Sequence, residues 1–98
     1  MKHIVNKDIM ASNGTSLMGY FFATYNEVVA KFGDPIDGCD KTTVEWIVVF
    51  EDDTVATIYD WKSASPLFTP DSIYEWHIGG HNIKAVEHIT NVMAGIAF

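Results

Sequence analysis

Three carboxylates in this chain stand immediately before a tryptophan: Glu45-Trp46, Asp60-Trp61 and Glu75-Trp76. His77 and His81 follow the last pair closely. These are the residues whose types and spacing could do chemistry. Carboxylate and imidazole together can ligate zinc, and carboxylates beside aromatic rings can receive a cation or a basic partner. In an extended chain His77 shares a face with Glu75, two residues away. The His81–His88 spacing covers about two helical turns, too far for that pair to clamp one ion unaided. The sequence contains no H-E-x-x-H zincin pattern, no G-x-S-x-G elbow, no G-x-G-x-x-G fingerprint and no Walker lysine pattern. No catalytic residue is assigned on this basis, and no cofactor is named. The candidate binding residues are Glu45, Asp60, Glu75, Trp46, Trp61 and Trp76, with His77 and His81 as candidate metal ligands.

The elements that must position them are strands. "VEWIVVFEDDTVATIYDW", Val44 to Trp61, reads as a hairpin. A two-residue loop at Asp52-Asp53 would pair Glu51 with Thr54, Phe50 with Val55, Trp46 with Tyr59 and Glu45 with Asp60. One face would then carry Val44, Trp46, Val48, Phe50, Val55, Tyr59 and Trp61. The other would carry Glu45, Ile47, Val49, Ala56, Ile58 and Asp60. Facing carboxylates destabilise a ladder by up to ~1 kcal/mol. Three explanations compete: neutralisation by Lys62, screening by solvent, or a site for a cation or basic partner built from Glu45, Asp60 and Glu75 with His77.

Around the hairpin, Leu17 to Thr24 has the aromatic enrichment of a buried strand, with Gly19 marking a bulge or a close backbone approach. Thr24 and Glu27 fit a capping box. Tyr25, Val28, Val29 and Phe32 form the apolar stripe of a short helix that Gly33 and Pro35 end. "GDPIDGCDKT" and "KSASPLFTPDS" read as loops, and "IYEWHIG" as a further strand. Gly79-Gly80 reads as a sharp strand-to-helix turn in preference to an anion-binding loop. From Asn82 a second helix should bury Ile83, Val86, Ile89, Met93 and Ile96, leaving Lys84, Glu87, His88 and Asn91 outside. Residues 1–14 have weak periodicity and are expected to be mobile or exchanged; Asn13-Gly14 could turn Met10-Ala11 back onto Ser16-Leu17. The order strand-helix-strand-strand-strand-helix predicts a single α+β domain over residues 1–98, an antiparallel sheet with two helices on one face.

Six basic and thirteen acidic residues give a formal net charge of −7. That argues against nucleic acid and against anionic membrane surfaces as partners. The single cysteine, Cys39, excludes an internal disulfide. No apolar run reaches transmembrane length, and the start lacks the apolar core of a signal peptide, so a cytoplasmic location is expected. Two short helices can cover one sheet face; the other needs the N-terminal segment, the 62–72 loop or a second molecule. An uncovered aromatic face exceeds what monomers usually tolerate, which predicts a homo-oligomer, most simply a dimer.

Residues 23–62 followed by "EWHIGGHN" resemble a family of small uncharacterised proteins of bacteriophages and marine viruses. Phe32-Gly33, Pro35, Lys41-Thr42, Glu45-Trp46 and Thr54 to Lys62 carry the resemblance. It covers most of the chain from about residue 15 onward. It implies no activity, cofactor or catalytic residue; "EDDT" departs from the Asp-Gly expected at the hairpin turn. The expected function is that of a small acidic binding protein, a phage accessory protein engaging a host protein or small ligand in the host cytoplasm. The alternatives are a metal-binding protein or metal-dependent enzyme using Glu45, Asp60, His77 and His81, and a structural oligomer subunit.

Overall fold

Local chemistry sets the first helix in place. In the computed structural model, which describes residues 1–37, 44–60 and 71–98, Glu27 N–H donates to Thr24 Oγ1 at 3.0 Å and Thr24 N–H donates to Glu27 Oε1 at 2.9 Å. That is the expected capping box, and it opens α1, Tyr25–Phe32. Gly33 ends the helix with φ +79°, a conformation open to glycine without strain. Val28 and Phe32 are the buried residues of the stripe.

Among the described residues six strands form one sheet: β1 His3–Val5, β2 Ser16–Thr24, β3 Ile36–Asp37, β4 Val44–Phe50, β5 Val55–Tyr59 and β6 Ile73–Gly80. The order is β1-β4-β5-β6-β2, every pair is antiparallel, and β3 joins β4 beside β1. The second helix, α2, spans Lys84–Met93. The α+β architecture is therefore as expected, with β1 and β3 added in segments that lack strand periodicity. The β2 register shifts between Leu17 and Gly19, where the bulge was expected.

Alternation sorts the side chains. One face carries Trp46, Val48, Phe50, Ala56, Ile58, Trp76 and Ile78, and α1 and α2 pack on it through Val28, Phe32, Ala85 and Ile89. Each large side chain sealed there contributes roughly 1.5–3 kcal/mol. The indoles meet edge to face at 5.4 Å, and each finds an acceptor: Trp46 Nε1–H donates to Gly33 O at 2.8 Å and Trp76 Nε1–H to Ala23 O at 2.9 Å. A buried indole N–H left without an acceptor would be costly, so these two bonds fix α1 and β2 against the core.

The hairpin register differs from expectation by one residue. Glu45 pairs with Tyr59, Trp46 with Ile58 and Val49 with Val55. The loop has three residues, Glu51 to Asp53. Asp53 N–H donates to Phe50 O and Phe50 N–H donates to Thr54 O, both at 2.9 Å, while Asp53 takes φ +69°. A turn followed by one left-handed residue consumes an extra position compared with a two-residue loop. That position moves Tyr59 and Val55 to the Glu45 face and Ala56 and Ile58 to the core.

Three smaller expectations also give way. Met10-Ala11 does not pair with Ser16-Leu17, because Ile9–Ser12 forms a 3₁₀ turn. Gly79 and Gly80 lie inside β6 instead of forming a turn. A Cβ on Gly79 would collide with Thr57 Oγ1, and one on Gly80 with the Ala85 side chain, so both glycines serve close approach. Helix α2 is rotated from its predicted stripe: Ala85, His88 and Ile89 are buried, whereas Ile83 and Ile96 are exposed. The glycine-sized gap at Gly80 admits Ala85, which turns His88 inward. No described helix is long and apolar enough to cross a membrane.

Candidate functional site

The sheet face opposite the helices is covered in part by the chain itself. β1 and β2 occupy opposite edges of the sheet, so residues 6–15 must cross it. Their 3₁₀ turn packs over β4 and β5, and Ile47 and Thr57 on this face are buried, at 2% and 3% exposure. Asn6 anchors the crossing: its N–H donates to Ile47 O, and Ile47 N–H donates to its Oδ1, both at 2.8 Å.

Beyond that strap a row of polar and aromatic side chains runs across four strands in register. Glu45 on β4 pairs with Tyr59 on β5, Tyr59 with His77 on β6, and His77 with Tyr20 on β2. The Tyr20 and His77 rings meet nearly perpendicular at 5.0 Å, and the Tyr59 and His77 rings lie 5.3 Å apart. Glu75 stands next to His77 on the same strand and face, with Oε1 3.9 Å from His77 Nε2. Phe22, paired with Glu75, is 70% exposed, and Tyr20 is 52% exposed.

The electrostatics of the row are coupled. Partial burial raises the Glu45 carboxyl above its ordinary pKa. Burial also raises the Tyr59 phenol, and the neighbouring Glu45 and Tyr20 push it the same way. A carboxylate held in a partly dry setting gains by receiving a positive charge, because the attraction is less screened there than in bulk water. Aromatic faces at Tyr20, Tyr59 and Phe22 add the quadrupole that favours a guanidinium or ammonium. The arrangement suits cation recognition by a shallow surface.

The predicted site residues separate into groups. Glu45, Glu75 and His77 share this face; Glu45 and Glu75 stand about 12 Å apart by strand spacing and rise. Asp60 does not join them. Val44 N–H donates to its Oδ1 at 3.0 Å, and the residue is buried as a backbone cap. Trp46 and Trp76 are completely buried in the core on the other face. His81 is exposed just beyond β6, about 13 Å along the chain from His77 at strand rise, so the two do not clamp one ion. Among the described residues no three His, Cys, Asp or Glu converge as a metal site. Trp61, Cys39 and Lys62, and with Lys62 its proposed neutralising role, lie outside the described residues.

The sequence reading missed Tyr59 as a neighbour of Glu45, because the two-residue loop placed it on the tryptophan face. It also missed a second polar contact. His88 Nε2 lies 2.8 Å from Asp52 Oδ2, tying α2 to the hairpin turn. The His88 ring stands perpendicular to Phe50 at 4.8 Å, and its Nδ1 is buried with no hydrogen-bond partner. The bond to His88 is the main cause holding the Asp52 carboxyl down to about 2. No local signal marks His88, which belongs to a broad arc of α2 whose buried centre is set by where the helix meets the sheet.

Comparison with known proteins finds no matching family model, no matching curated protein and no matching solved structure.

Proposed function

We propose that the chain is a binding protein whose uncovered sheet face receives a basic segment of a partner protein, and that it has no catalytic role. The observation supporting this reading is the in-register row Glu45–Tyr59–His77–Tyr20, with Glu75 and Phe22 beside it. A basic segment laid across it would place one cationic side chain at Glu45 and a second at Glu75, about 12 Å away, with the rings of Tyr59, Tyr20 and Phe22 beside them. A formal charge of −7 favours and steers the approach of a basic partner. With the phage resemblance carried by residues 23–62, the partner is a host protein and the chain a viral accessory factor. The exposed Tyr20 and Phe22 also support action as a homo-oligomer.

An arginine-rich peptide titrated into the wild-type chain and into the Glu45→Gln/Glu75→Gln variant tests the reading. Binding to the wild type should weaken about tenfold or more in the variant, a change of about 1.4 kcal/mol. The variant should keep its thermal midpoint. Equal binding by both chains, or equal binding of an acidic peptide, would remove the proposal.

A further inference from the structure

The row ends at Tyr20 on β2, and the outer edge of that strand has a property of its own. β2 is the last strand of the sheet and, at nine residues, the longest. Long edges invite pairing, and proteins usually blunt them with charge, proline, a bulge or a covering element; the bulge between Leu17 and Gly19 interrupts this edge near its start and leaves Gly19 to Thr24 in regular register. Ser16 to Thr24 contains no charged residue and no proline. Among the described residues no backbone group bonds to its outer edge. Leu17, Tyr20 and Phe22 are exposed on it, and Ile73 on the neighbouring β6.

We infer that β2 pairs antiparallel with β2 of a second copy, joining two sheets into one across a two-fold axis near Phe21. This rests on the homo-oligomer reading above and assigns it a surface. Charge selects the occupant. Two copies each carrying −7 must meet where neither presents charge, and β2 is such an edge. Symmetry then supplies the contacts: Tyr20 of each copy lies against Phe22 of the other, an aromatic pairing that sheets favour.

The area suits a reversible contact. Leu17, Tyr20 and Phe22 together expose roughly 330 Å² of side chain, at about 200 Å² for each when fully exposed. With the backbone edge of the strand this is a small interface, below the ~800 Å² per partner of a standard one, so the dimer should dissociate on dilution. The helices leave room as well. α2 is centred over β6, with β5 and β2 to either side. The two α2 helices would stand about three strand spacings apart, ~14 Å, beyond the 8–10 Å of packed helices.

The joined sheet has a consequence for binding. A two-fold axis normal to the sheet keeps both open faces on one side, so two His77–Glu75 pairs come to lie about 14 Å apart on one surface. A single basic segment could engage both, and the second contact would be effectively intramolecular.

Sedimentation equilibrium on the full chain tests the pairing. Wild type should sediment at twice the chain mass. Phe22→Lys, a change at an exposed position, should shift dimer dissociation at least tenfold toward monomer, with an unchanged circular-dichroism spectrum and a thermal midpoint that no longer rises with protein concentration. Ile4→Lys, on β1 at the far edge, should leave the mass at dimer. Amide exchange supplies a second readout: alternate β2 amides should lose protection on dilution in the wild type. A wild type monomeric at all concentrations would overturn both the oligomer reading and the pairing. A dimer indifferent to Phe22→Lys, with β2 exchange independent of concentration, would overturn the pairing alone.

Discussion

Glu45 faces Tyr59 across the central hairpin, and the Asp60 carboxylate turns back to accept a hydrogen bond from Val44 N–H at 3.0 Å. Two carboxylates expected to oppose each other have therefore been separated into different tasks. Glu45 belongs to an open face with Tyr59, His77 and Tyr20, and Asp60 closes the end of a β-ladder.

That division predicts opposite phenotypes. Asp60→Ala should lower unfolding free energy by about 1–3 kcal/mol, because it leaves the Val44 amide without its acceptor, and peptide affinity measured on the folded fraction should be unchanged. Glu45→Gln should do the reverse. Urea denaturation beside isothermal titration of the same two variants separates the roles; matching effects in both assays would refute the division.

The hairpin turn gives a second expectation. Asp53 holds φ +69° at the position where glycine is strain-free. Asp53→Gly should stabilise the chain or leave it nearly unchanged, within about 1 kcal/mol, since relief of strain competes with the greater freedom of the unfolded chain. Asp53→Val should destabilise it clearly, and chemical denaturation of the pair reads the difference.

Acid should act through the tie between α2 and this turn. The bond from His88 holds the Asp52 carboxyl at about 2, below its ordinary 3.8. A carboxyl depressed in the folded state contributes stability that is present above the unfolded value and is lost as pH falls through the folded one. Thermal midpoints should fall between about pH 4 and pH 2. Asp52→Asn should show a shallower fall over the same window, and parallel curves would exclude the contribution.

Close approach at β6 is equally testable. Gly80→Ala would drive a methyl group into the Ala85 side chain, with Val55 O 3.2 Å away. Overpacking of this kind costs about 1–3 kcal/mol. A lowered midpoint in thermal unfolding is expected, with recovery when Ala85→Gly is added.

The parts of this fold that were legible in the sequence are those governed by short-range rules. The Thr24–Glu27 capping box, the Gly33 stop and the bulge near Gly19 follow from neighbours within four positions. The segregation of Glu45 from Trp46 and of Glu75 from Trp76 follows from strand alternation alone. Loop length was not legible. "FEDDT" fits a two-residue or a three-residue connection, and only the left-handed Asp53 decides between them. Because side-chain period is two, that one residue reversed the faces of the entire β5 strand.

The burial of His88 was hidden for a different reason. Its helix presents apolar residues over a broad arc, and the buried centre depends on which part of the sheet the helix meets. Gly80 provides the niche for Ala85, a long-range fact with no local trace. Cover for the open face by the N-terminal segment was one of three readings the sequence left open; that residues 6–15 cross it follows from β1 and β2 occupying opposite edges.

The most direct measurement is an amide and side-chain NMR titration of the wild-type chain with an arginine-rich peptide. Saturable shifts should centre on Glu45, Tyr59, His77, Tyr20 and Glu75, with Asp60, Trp46 and Trp76 little affected. Shifts centred on the helical side of the sheet, or none at millimolar peptide, would contradict the proposed binding face.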